Sequence, residues 1–64
     1  MHESSKLVDK LMNCGINCRK QKQYIESLVY YDNAIELEKV TRNKASKLAQ
    51  LLGNKACCYH GLKQ

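Results

Sequence analysis

No proline interrupts this chain, and its three glycines, Gly15, Gly53 and Gly61, are too scattered to force frequent turns. Proline and glycine are the residues that most strongly end a helix, so a chain nearly free of them can form long ones. Its apolar residues recur every three or four positions in three successive stretches, which predicts three amphipathic helices and an all-α fold. With 64 residues the chain makes one small domain, 1–64. Such a domain buries only about 60% of the surface its unfolded form exposes, so marginal stability is expected. A catalytic cleft between two layers does not fit in this length. One flat or grooved face does.

The first helix is expected over about residues 5–20, with Ser4 or Ser5 as its N-cap and Leu7, Leu11, Cys14, Gly15 and Cys18 on its core stripe. The polar run Arg19 to Gln23 reads as a solvated turn. The second helix is expected over about residues 24–39. Tyr24, Leu28, Tyr31 and Ile35 form its main stripe, and Ser27 and Ala34 are small residues that let a neighbour approach. Glu36 and Glu38 near its C-terminus oppose the helix dipole, which Lys39 and Arg42 offset. The third helix is expected over about residues 42–60, capped by Thr41 and fraying at Gly61, with Ala45, Leu48, Leu52, Ala56 and Tyr59 facing the core. Tyr24, Tyr31 and Tyr59 are expected inside and Tyr30 partly exposed.

The net charge of +5 is unevenly spread. Residues 19–23 carry +3, residues 24–38 carry −4, and the remainder carries +6. This pattern suits attraction within the chain and an acidic partner; the acidic middle dilutes any case for nucleic acid. Neither a signal peptide nor a membrane span is legible, so no membrane is expected as a partner. The cysteines Cys14, Cys18, Cys57 and Cys58 then read as reduced thiols in a cytoplasmic setting.

Residues 14–37, CGINCRKQKQYIESLVYYDNAIEL, resemble a tetratricopeptide repeat (TPR). Gly15 stands at the small position of the repeat's first helix, and Tyr24 opens its second. Ser27 (where Ala is usual), Tyr31 and Ala34 follow at the family's spacing, beside Leu11 and Cys18 on the core stripe. LLGNKACCYHGLKQ looks like the first helix of a next repeat, with Asn54-Lys55-Ala56 and then Tyr59 similar to the family's Asn-Arg-Ala…Tyr run. The resemblance covers residues 7–64. Ala34 and Ala56 are 22 residues apart, where the period of about 34 residues gives about 15. The surplus is close to two helical turns, so lengthening each facing helix by one turn absorbs it. Such lengthening resembles that of repeat domains in co-chaperones and immunophilins.

The resemblance implies an antiparallel three-helix array of the α-solenoid type and a non-catalytic adaptor or scaffold that holds a peptide or helix of another protein. Many such domains clamp the acidic tail of a chaperone. Met12 and Ile16 stand where that clamp has Lys and Asn, and Asn54 alone matches, so tail binding by this segment is not expected. Val8, Met12 and Ile16 recur every four residues on the side that lines the family's concave groove. With Arg19, Asn54, Cys57 and His60 they form the expected partner-binding groove, an apolar one in which Met packs adaptably. The plainer reading is that another segment or a second copy covers them. One and a half repeats also fall short of the three or so that stacking usually needs, so completion by further sequence, self-association or a partner is expected.

Neither metal nor cofactor is expected. Cys57 and Cys58 are adjacent on a helix and cannot both converge on one ion, and small cysteines fill tight helix contacts equally well. His2 and His60 lie in no recognisable catalytic motif, and an enzyme is not expected. The rival readings are an MIT-like three-helix domain that grips helical tails in trafficking, and a small basic nucleic-acid binder, for which the final +6 segment speaks.

Overall fold

In a computed structural model the backbone is described for residues 2–63 and the side chains for residues 5–63. Three helices account for nearly all of it: α1 (His2–Lys20), α2 (Tyr24–Thr41) and α3 (Ala45–Lys63). The fold is an all-α antiparallel array with α2 in the middle. Ser5 of α1 meets Arg42 just past the end of α2, while Gly15 meets Ser27 near its start. Asp32 and Lys55, and Tyr24 and Gly61, run the same antiparallel way between α2 and α3.

Both connections close on a residue in the left-handed region, Lys22 at φ 64° and Asn43 at φ 50°. This conformation lets the N–H of Gln23 reach back to the Cys18 carbonyl at 2.8 Å, and that of Asn43 to Glu38 at 2.6 Å. Asn tolerates the geometry; Lys holds it at a cost. The helix ends differ from expectation for local reasons. Ser5 lies inside α1, which begins at His2, and its hydroxyl accepts from Arg42 instead of capping. Thr41 sits in the last turn of α2, where its Oγ1 donates to the Leu37 carbonyl at 2.6 Å, so it does not cap α3. A carboxylate from the preceding helix takes that role: Glu38 Oε2 accepts from the Lys44 N–H at 3.0 Å.

The core consists of Val8, Met12, Tyr31, Ala34, Ile35, Leu51 and Cys58, flanked by the partly buried Leu11, Ile16, Tyr24, Leu28, Leu37 and Leu48. Burying each large apolar side chain stabilises the array by about 1.5–3 kcal/mol. Gly15 acts as expected, because a Cβ there would stand 2.6 Å from Cε1 of the buried Tyr31 ring. Ser27 does more than stay small. Its hydroxyl donates to the Gly15 carbonyl at 2.6 Å and accepts from the Cys58 thiol at 3.2 Å, joining all three helices in one buried chain.

Two expected stripes are rotated. In α1 the buried line is Val8, Met12 and Gly15, while Leu7 is exposed and Leu11, Cys14 and Cys18 are half-buried. Val8, Met12 and Gly15 face α2, against which α1 packs most, and the Asp9–Lys47 ion pair is a link from α1 to α3. In α3 the core side is Leu51 and Cys58, whereas Ala45, Leu52, Ala56 and Tyr59 are exposed. Ala45, Leu52 and Tyr59 lie on an exposed side of α3, and Ala56 borders a groove that also involves Arg19 and Tyr24. Gly61 does not end α3; the Tyr24 ring packs where its Cβ would be, at 2.6 Å.

Candidate interaction groove

Tyr24 opens α2 directly after the first turn, and its ring needs the missing side chain of Gly61 to lie flat against α3. That contact holds the C-terminal part of α3 near the end of α1 and leaves a groove between them. The groove encloses about 460 Å³ and is lined by Arg19, Tyr24, Ala56, Cys57, His60 and Gly61. Among the described residues no carboxylate lines it. Arg19 sits in the last turn of α1 beside Lys20, where the negative end of the helix dipole favours a cation. The floor is a phenol ring and a helix with small side chains. A guanidinium over an apolar floor suits a carboxylate attached to an apolar group.

Of the expected groove residues, Arg19, Cys57 and His60 do come together here. Val8 and Met12 do not line any groove, because both are buried in the core, and Ile16 packs partly buried against it. Asn54 is half-buried on α3 and outside the groove lining. Among the repeat-motif residues Ser27, Tyr31 and Ala34 are buried, but Ala56 and Tyr59 are exposed. Tyr24 and Gly61 are groove residues that the sequence does not announce. They stand far apart along the chain, and only the ring-on-glycine contact, invisible in spacing, joins them.

The other end of the array is occupied by a closed polar cluster around Glu38, which is fully buried. Arg42 donates to Glu38 Oε1 through Nε at 3.2 Å and Nη2 at 2.7 Å, and through Nη1 to Ser5 Oγ at 2.8 Å. Burial works to raise the Glu38 pKa, but the hydrogen bonds from the Lys44 N–H and Arg42, and the charges of Arg42 and Lys47, outweigh it and hold the carboxyl below its ordinary value. On α3, Lys55 pairs with Asp32 at 2.6 Å and lies 6.0 Å from the Tyr59 ring centre. The hydrogen bond to Asp32 lifts the Lys55 pKa, against its burial, with help from the charges of Asp32 and Tyr59.

All four cysteines are free thiols. Burial, then the negative fields of Glu26 and Cys14, push the Cys18 thiol up, away from a reactive thiolate. Among the described residues no three His, Cys, Asp or Glu side chains converge as metal ligands, and no helix is long and apolar enough to cross a membrane. The side chain of His2 lies outside the described residues. No model of a protein family, no curated protein and no solved structure matches this chain.

Proposed function

We propose that the chain is a non-catalytic, TPR-like interaction segment that holds a peptide or helix of another protein in the groove between the ends of α1 and α3. The observation that carries this reading is the groove itself: open, floored by Tyr24, Ala56 and Gly61, and headed by Arg19 with no carboxylate among the described residues that line it. Its mixed character moves the expected contacts from the purely apolar line Val8, Met12 and Ile16 to an acidic side chain seated next to an apolar one. Free thiols fit a cytoplasmic setting for such an adaptor. The nucleic-acid reading is weakened because Arg42, Lys47 and Lys55, half of the basic residues after position 38, are paired with Glu38, Asp9 and Asp32.

The test is fluorescence anisotropy with labelled amphipathic peptides that are identical except for Glu or Gln at the polar positions. Binding of the Glu peptide that Arg19→Glu weakens about tenfold supports the reading. Equal affinity for both peptides, or tighter binding to a random DNA duplex at the same salt, overturns it.

A further inference from the structure

Two apolar faces are left uncovered, and they lie on different helices. On α2, Ile25, Val29, Glu36 and Val40 share one side at spacings of four, seven and four, opposite the buried Ser27, Tyr31, Ala34 and Glu38. Ile25, Val29 and Val40 are 64%, 55% and 77% exposed. On α3, Ala45, Ala49, Leu52, Ala56, Tyr59 and Lys63 share the side opposite Leu51 and Cys58. Leu52 and Tyr59 are 55% and 50% exposed, and the three alanines between and before them let another helix approach closely.

The charges of the two faces are opposite. The outer side of α2 carries Glu36 in line with its apolar residues and the exposed Glu26 at its edge, with Lys39 as the nearby cation. Asp32 beside them is already paired with Lys55. Helix α3 contains no Asp or Glu at all; its outer stripe ends on Lys63, and Lys44 precedes its first turn. Pairing two α3 faces would set lysines against lysines, and pairing two α2 faces would set Glu36 against its own copy. An α2 face against an α3 face brings apolar residues together with opposite charges around them.

We propose that the occupant of the α3 outer face is a second copy of this chain, docked through its α2 outer face. The contact is head to tail: each copy keeps one free α2 face and one free α3 face, so the assembly grows past a dimer instead of closing. The α3 face shares Ala56 with the groove, so the association is tested with substitutions at Val29 and Leu52, neither of which lines the groove.

Sedimentation velocity on the 64-residue chain over a range of concentrations tests it, with Val29→Asp and Leu52→Asp as the variants. Both sites are exposed, so each variant is expected to keep its helical circular dichroism; Ile25→Asp and Ala49→Asp replace either one that does not. The wild-type chain is expected to grow through dimer to larger species and to dissociate as salt is raised. Each variant alone is expected to be monomeric. Their equimolar mixture is expected to stop at a one-to-one dimer, joined through the intact α3 face of Val29→Asp and the intact α2 face of Leu52→Asp. A wild-type monomer at every concentration overturns the proposal. So does a closed dimer that Leu52→Asp abolishes and Val29→Asp leaves unchanged.

Discussion

The two ends of the array treat their polar groups in opposite ways. At the end formed by Ser5, Glu38, Arg42 and Lys44, the buried carboxylate receives three hydrogen bonds and the guanidinium reaches across to α1. At the other end Arg19 stands over an open groove lined with Tyr24, Ala56, Cys57, His60 and Gly61. The same residue type, arginine near a helix C-terminus, closes one end and leaves the other available to a ligand. The difference puts the structural polar contacts and the proposed recognition surface at opposite ends of the same three helices.

This contrast is sharpest in its response to substitution. Glu38→Ala strands Arg42 and leaves the α3 N-terminus without its acceptor, and a cost of about 3 kcal/mol is expected in urea unfolding. Gly15→Ala forces the buried Tyr31 ring to move, with an expected cost of about 1–3 kcal/mol. Ser27→Ala removes the link between the Gly15 carbonyl and the Cys58 thiol and is expected to cost about 1–2 kcal/mol. At the open end Arg19→Gln is expected to stay within about 0.5 kcal/mol of the parent chain. A large loss there, equal to that of Glu38→Ala, would erase the contrast. Lys22→Gly relieves a left-handed lysine and is expected to stabilise by about 0.5–1 kcal/mol.

Acid sharpens the same comparison. Because the folded Glu38 carboxyl titrates below its ordinary value of 4.5, its contribution is complete above that pH and is lost as pH falls through the lower, folded value. Thermal unfolding is therefore expected to show stability falling in that acid range, and Glu38→Gln is expected to flatten the fall. An unchanged acid slope in the variant would assign the dependence to other carboxylates.

Much of the fold is legible from periodicity, namely three helices and their order. The repeat resemblance adds that Gly15 lets the second helix come close, while its contact with the Tyr31 ring is seen only in the structure. The facing of the helices is less so. A stripe at 3.6-residue spacing says that a face is apolar, not that a neighbour covers it, and α3 carries apolar residues on two sides. Leu51 and Cys58 point in, whereas Leu52, Ala56 and Tyr59 point out. Val8 and Met12 suggest a groove through the repeat resemblance, whereas in the structure their line faces α2 and belongs to the core. Glu38, taken by itself, is a residue in the wrong place, too near a helix C-terminus. Its value comes from Lys44 and Arg42 beyond the turn, and only the four-residue spacing to Arg42 hints at it. Arg19, Cys57 and His60 are legible only through the repeat resemblance, which sets the end of the first helix and the third helix on one groove.

The division between a structural end and a recognition end is tested most directly by amide chemical shifts during titration with the acidic amphipathic peptide. Shifts concentrated at Arg19, Tyr24, Ala56, Cys57, His60 and Gly61, with Ser5, Glu38, Arg42 and Lys44 still, are the predicted result. Shifts centred on Glu38 and Arg42, or none at saturating peptide, would contradict it.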